Sequence, residues 1–308
     1  MSSLSEHVDE YLSLRRGLGF KLDRPGQLLV QFAHYCEEHR ADTVTIEVAL
    51  NWARQPAAAR PFWWAHRLST VRSFARYLHA MDSRHEVPPP DLLPSGPHRG
   101  EPFIYSASEV SALLRAAGEL AHPFRSATMA TYIGLLAVTG MRAGEAIALD
   151  CEDADWTEGL VTIRDAKFGK SRELVLHPTT IDALRDYVDR RRYVAPKPRS
   201  GPFLVSTVGA RLEYINVQRI FHRLTRLAGL VPRSARCRPR LHDLRHTFAV
   251  NTILSWYRAG LDVSQRMHLL STYLGHTQPS HTYWYLSATP ELFALVGQRL
   301  SAQLGDLA

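Results

Sequence analysis

In the first part of the chain, apolar positions recur at helical spacing, with no strand-like alternation. Leu4, Val8, Tyr11, Leu12 and Leu14 form one stripe over residues 4–20, and Gly17 and Gly19 are stop signals near its end. Leu28, Leu29, Phe32, Ala33 and Cys36 predict a second helix from Pro25 to Arg40. Thr43-Val44-Thr45 offers a cap for a third, from Ile46 to Ala53. Leu68, Val71, Phe74, Ala75 and Leu78 predict a fourth, from about Trp63 to Met81. Residues 1–84 therefore read as a small all-helical domain.

The periodicity then breaks. RHEVPPPDLLPSGPHRGEP is dense in Pro and Gly, which resist both helix and sheet, and predicts a semi-extended linker over residues 85–103. A proline-rich ligand for another protein is the alternative. In residues 104–308 the pattern is mixed. Ser106-Ala107-Ser108-Glu109 opens a helix, and an apolar helix from Ser126 to Val138 ends at Thr139-Gly140. After an acidic turn, Asp150 to Asp155, alternation over Leu160–Arg164 and Glu173–His177 around the turn AKFGKS predicts a hairpin. Helices return from Pro178 to Tyr193 and from Asn216 to Ala228. The basic loop PRSARCRPR then leads into LHDLRHTFAVNT. The predicted fold is mainly α with a small antiparallel sheet: a helical N-terminal domain followed by an α+β domain.

Charge narrows the choice of partner. The 308 residues carry a net charge of +7, and the sequence pI is about 9.5. A polyanion is implied, nucleic acid first and an anionic membrane second. No apolar stretch reaches membrane-spanning length, so a membrane partner is not expected. MSSLSEHVDEYLSLRRG carries acidic residues and lacks the long apolar run of a signal peptide. Cys36, Cys151 and Cys237 are scattered and form no CxxC, which argues against a disulfide framework or zinc ribbon and for a reduced cytoplasmic setting. On the fourth predicted helix, Arg67, Arg72 and Arg76 lie near Arg60, His66, Trp63 and Trp64 without matching acids. Those arginines either hold DNA phosphates or form a solvated face over core tryptophans.

Candidate chemistry is spread over the second half. TGMRAGEAIALD holds Arg142 and Glu145. Lys167 and Lys170 share the hairpin turn. His242 and Arg245 stand three apart, His276 follows in Leu274-Gly275-His276, and Tyr285 comes nine positions later. Taken singly, each is ordinary: a surface arginine paired with a glutamate, a solvated turn lysine, a capping histidine. In this order they suit a phosphodiester. Guanidinium forks match phosphate oxygens, histidines donate hydrogen bonds or move protons, and a tyrosine hydroxyl can form a covalent ester. Tyr283, two before Tyr285, points nearly the opposite way on a helix and reads as a packing residue; Tyr273 falls outside the spacing. His242 and His246 are four apart, as in HExxH zinc sites, but Asp243 follows His242 and Arg245 would repel a cation, so no metal is expected. Gly169-Lys170-Ser171 imitates a P-loop end, yet the glycine needed five residues earlier is Arg164.

From about residue 104 to 295 this set resembles the tyrosine recombinase, or phage integrase, family. The resemblance implies that Arg142 and Arg245 bind the scissile phosphate, with Glu145 supporting Arg142. Lys167 would be the general acid, His242 and His276 phosphate ligands of which one takes the tyrosine proton, and Tyr285 the nucleophile. Lys170 is kept as a DNA-phosphate contact. The implied reaction is cleavage and rejoining of DNA through a 3′-phosphotyrosyl link and a Holliday junction, without cofactor, by four protomers, with each protomer clamping DNA in a C shape. Other recombinases or accessory DNA-bending proteins are further implied partners. The amphipathic tail, with Leu292, Leu295, Val296, Leu300 and Leu304, would pack on a neighbouring protomer or on its own core. Two features depart from the family pattern: SWYRAGLDVSQRMHLLSTY reads as an insertion, and Leu-Ser-Ala-Thr-Pro follows Tyr285. A type IB topoisomerase using the same residues, or an inactive DNA-binding scaffold, are the alternative functions.

Overall fold

Ser3 starts the first helix by a reciprocal cap: its hydroxyl accepts from the Glu6 N–H, and the Glu6 carboxylate accepts from the Ser3 N–H. The protein is described as a computed structural model covering residues 3–94, 100–166, 170–194, 201–276 and 278–287, with Leu292, Ala294 and Gly297 beyond them. It divides into two units, Met1–Arg99 and Gly100–Ala308.

The first unit holds α1 (Leu4–Gly17), α2 (Asp23–Glu38), α3 (Ile46–Arg54) and α4 (Pro61–Met81). Thr45 caps α3 by accepting from the Val48 N–H, and Pro61 begins α4, where no N–H is needed. The predicted stripes form its core, with Val8, Leu29, Phe32, Trp52, Leu68 and Phe74 all buried. Leu14 is the exception and lies exposed.

Two expectations for this unit need correction. Arg67 does not face outward. It is only 6% exposed, its Nη2 donates to the Trp52 carbonyl at 2.8 Å, and its guanidinium lies 3.6 Å over the Trp52 ring. Burial of the charge is offset by that contact, and Arg67 cannot reach DNA from there. Trp63 and Trp64 are half-buried against the same core. The proline-rich stretch is also not a free linker in its first half. His85 accepts the Val44 N–H, and Glu86 donates its N–H to the Val44 carbonyl. Prolines cannot donate, but the carbonyls of Pro88 and Pro89 accept from Arg72 Nε and Nη2 at 2.6 and 2.8 Å, and Leu93 is buried in the core. Arg72 is therefore committed to its own chain. Arg76 is exposed on α4.

The second unit runs α5 (Ala107–Gly118), α6 (Pro123–Thr139), α7 (Ala143–Ala148), β1 (Ala154–Asp155), β2 (Leu160–Ala166), β3 (Lys170–Val175), α8 (Pro178–Arg192), α9 (Tyr214–Leu227), α10 (Asp243–Arg258), α11 (Val263–Leu274) and α12 (Ser280–Tyr283). A 3₁₀ turn, Trp284–Ser287, follows. The three strands form one antiparallel sheet in sequence order. Leu160 pairs with Val175 and Ile163 with Arg172, and the register becomes irregular between Ile163 and Ala166. Strand alternation puts Arg172 on the same face as buried Leu174.

The segment expected as an insertion consists of the last turn of α10, a short connection, and α11, which Asp262 caps by accepting from the Gln265 N–H. Ala249, Val250, Ile253, Met267, Leu270 and Leu274 pack between these two helices around Tyr285 and Leu292. Of the predicted tail stripe, Leu292 is thus on the chain's own core, while Leu295, Val296, Leu300 and Leu304 lie outside the described residues. Among the described residues no helix is long and apolar enough to cross a membrane.

Candidate active site

Two chain reversals build the site. α6 stops at Gly140 and α11 at Gly275, both left-handed, with φ of 61° and 67°. A side chain at Gly140 would strike the Phe248 ring. The reversal at Gly140 delivers Arg142 to the start of α7, where its N–H and Nη1 donate to the Glu145 carboxylate at 2.8 and 2.7 Å. Arg142 Nη2 donates to the Gly275 carbonyl at 2.8 Å. From the first turn of α10, Arg245 Nη1 donates to the Gly140 carbonyl at 2.8 Å and Nη2 to the Leu274 carbonyl at 2.6 Å. Two guanidiniums therefore hold consecutive carbonyls that the end of α11 leaves without helical partners. The next residue is His276.

The charges are shaped by burial and by each other. Arg245 is 2% exposed. Burial, then the nearby Arg142 charge, pushes its guanidinium down to about 10, which leaves it cationic at neutral pH. Burial would raise the Glu145 carboxyl, but the Arg172 and Arg142 guanidiniums and the Arg142 N–H hold it down to about 2. Arg172 was not among the predicted site residues. It donates Nη1 and Nη2 to Glu145 at 3.1 and 2.7 Å and Nε to the Tyr273 carbonyl at 2.8 Å. Its signal in the sequence is an arginine on the inward face of a hairpin strand. The sequence pattern begins that strand at Glu173 and ends the turn at Ser171, so Arg172 falls in neither.

His276 hydrogen-bonds Thr282 through Nδ1 at 2.6 Å, and its ring stacks along Tyr285 at a centroid distance of 6.1 Å and 22°. Tyr285 is 2% exposed, and its hydroxyl lies 3.2 Å from His246 Nδ1. Tyr283, expected to pack, is exposed, so the two tyrosines take the opposite roles in burial. His242 stands at the N-terminal boundary of α10, is exposed, and meets His246 edge-on at 4.7 Å between ring centroids. In the sequence His246 stands out only through its HExxH-like spacing from His242. Behind it Asp243, fully buried, is bound by Arg240 through Nε and Nη2 at 3.0 and 2.9 Å. Burial raises the Asp243 carboxyl, against the pull of Arg240.

The structure thus gathers Arg142, Glu145, Arg245, His242, His276 and Tyr285 around the end of α11 and the start of α10. Lys167 lies outside the described residues, and so does the Lys170 side chain, although its backbone opens β3. Among the described residues no group of three or more His, Cys, Asp or Glu side chains is placed to hold a metal ion.

Residues 105–291 match the model of the phage integrase family. The chain belongs to this family of tyrosine recombinases. It is 42% identical over 312 residues to a Sinorhizobium fredii protein, y4rB, whose name places it among the integrase/recombinases; the alignment covers 99% of each. It is 26% identical to the tyrosine recombinase XerC of Thermodesulfovibrio yellowstonii, over 72% of this chain and 69% of that one. In fold it is similar to the Tn1549 transposon integrase solved with a circular intermediate DNA, with a TM-score of 0.66 at 15% identity, over 97% of this chain and all of that one. The lambda integrase tetramer bound to a Holliday junction gives a TM-score of 0.59 at 18% identity, over 92% of this chain and 77% of that one.

Proposed function

We infer that the protein is a site-specific DNA recombinase that cuts and rejoins strands through a covalent bond between Tyr285 and a 3′ phosphate. One observation carries this reading. Arg142 and Arg245, more than a hundred residues apart in the chain, hold the consecutive carbonyls of Gly275 and Leu274, directly before His276 and beside Tyr285. A phosphodiester bound at the end of α11 would meet two cations, two imidazoles and one phenol.

The chemistry follows from those groups. Phosphoryl transfer demands positioning and charge stabilisation more than covalent help. Arg142 and Arg245 neutralise the non-bridging oxygens as charge builds on them, and their carbonyl contacts fix them before substrate arrives. His242 and His276 donate to the same oxygens. Lys167, which falls between β2 and β3 in the sequence, would protonate the departing 5′ oxygen. The phosphotyrosyl ester conserves the bond energy, so a second 5′ hydroxyl can reseal the strand without nucleotide or metal. Four protomers on two DNA sites would exchange strands in pairs through a Holliday junction, with Arg76 and Lys170 on the phosphates. The relatives' names and the DNA-bound neighbours support this assembly for the chain.

The test uses nicked suicide duplexes tiled across the DNA flanking the gene. Wild type forms a covalent adduct that survives denaturing electrophoresis, and Tyr285→Phe forms none. An adduct in the Phe variant removes Tyr285 as nucleophile; no adduct from wild type on any flanking duplex favours a DNA-binding scaffold.

A further inference from the structure

A histidine outside the predicted site set reaches the tyrosine hydroxyl, with a carboxylate behind it. His246 is 5% exposed and Asp243 is fully buried. His246 Nδ1 stands 3.2 Å from the Tyr285 hydroxyl, and His246 Nε2 stands 4.0 Å from Asp243 Oδ1, an electrostatic contact rather than a hydrogen bond. Asp243 is fixed in turn by Arg240 and by the backbone N–H of Arg240 at 3.1 Å. A phenol, an imidazole and a carboxylate are thus in line, and the tyrosine ring rests on the apolar seam between α10 and α11.

We propose that His246 is the base that takes the Tyr285 proton, with Asp243 as the positioning residue behind it. The proposal rests on Tyr285 being the nucleophile, and it assigns the proton to a histidine other than His242 or His276. An Nε2–H turned to the carboxylate leaves Nδ1 as the acceptor facing the phenol. As the tyrosine oxygen bonds to phosphorus and the bond to the 5′ oxygen breaks, the phenol proton passes to His246 Nδ1 while Lys167 supplies the proton on the leaving oxygen. The imidazolium that forms faces Asp243, with Arg240 behind that carboxylate and His242 on the edge of the ring. On rejoining, His246 returns the proton to the phenol. His242 is exposed and His276 is bonded to Thr282, so each is better placed for the phosphate than for the buried hydroxyl.

Single-turnover cleavage of the suicide duplex by the full chain tests this. His246→Gln, which keeps a polar side chain but no base, should cleave about 100-fold more slowly or worse, with DNA affinity and melting temperature held. Trifluorotyrosine at position 285, whose phenol ionises without help, should restore the rate in that variant. A bridging 5′-phosphorothiolate, whose leaving group needs no proton, should rescue Lys167→Ala but not His246→Gln. In wild type the rate should rise with pH as His246 loses its proton. Asp243→Asn, by removing the charge that favours imidazolium, should move that rise to lower pH and serves also if His246→Gln fails to fold. In the DNA-free protein, ¹⁵N spectra should show neutral His246 protonated at Nε2. Wild-type cleavage by His246→Gln, no rescue by the fluorinated phenol, an unmoved pH limb or an Nδ1-protonated ring each overturns the proposal. An adduct formed by Tyr285→Phe overturns instead the reading on which it rests.

Discussion

Arg172 on β3 grips Glu145 at the start of α7 with two hydrogen bonds, and the same carboxylate holds Arg142. The glutamate is 10% exposed, so it is a shared counter-ion and not a surface partner. Holding it down from 4.5 to about 2 corresponds to roughly 3 kcal/mol of stability. Because the folded value is the lower one, that contribution is complete above the ordinary carboxylate range and is lost as pH falls toward 2. Glu145→Gln should therefore be less stable than wild type by about this amount at pH 7, and the gap should shrink as the pH is lowered through 4. Chemical denaturation at several pH values measures it. A gap independent of pH would mean that the charge of Glu145 is not what stabilises the site.

Gly275 carries the carbonyl that Arg142 binds, in a left-handed conformation. A Cβ there would stand 2.9 Å from Arg172 Nη1. Gly275→Ala should cost about 1–2 kcal/mol from the backbone alone and push Arg172 away from Glu145. Cleavage should fall further than stability, because the carbonyl that orients Arg142 turns with the backbone. Thermal melts beside adduct formation separate the two effects, and a variant as active as wild type would remove the Arg142–Gly275 contact from the argument.

Arg142→Ala and Arg245→Ala should each slow cleavage by roughly 100-fold or more while DNA binding is mostly retained. Their stabilities should differ. Arg245 is buried, and its loss orphans the Gly140 and Leu274 carbonyls, at about 1–3 kcal/mol for each buried group left unpaired. Arg142 is 30% exposed, and water can replace part of what it gives. Melting temperatures of the two variants check the order: Arg245→Ala below Arg142→Ala.

On the first unit, Arg67→Ala should lower the melting temperature and leave the salt dependence of DNA binding as in wild type. Arg76→Ala should do the reverse, and reduce the slope of log affinity against log salt by about 0.9 if it touches one phosphate. An unchanged slope for Arg76→Ala would make that face of α4 a solvated one.

Much of this protein is written locally. Helical stripes such as Leu28, Leu29, Phe32 and Cys36, the cap at Thr45, and the alternation about Ile163 and Leu174 are set by neighbours one or two turns away, and the helices and hairpin stand close to where the pattern put them. The order of Arg142, Glu145, His242, Arg245, His276 and Tyr285 is likewise legible, as the motif set on which the resemblance to the family rests. The partners of each are not. Arg172 meets Glu145 across 27 residues, and His246 meets Tyr285 across 39. Arg67 lies in the same basic run as Arg76, yet it turns inward because the Trp52 carbonyl and ring offer a buried guanidinium a better place than the face of α4 does. A prolyl stretch reads as a linker until Arg72 is seen to bind its carbonyls. Sequence alone determined which elements form and which residue types suited to a phosphodiester the chain carries, since periodicity and residue type are local properties. Which arginine is buried, which histidine touches the tyrosine and which charges share Glu145 were decided by tertiary structure, because burial and hydrogen bonding depend on what the folded chain brings alongside.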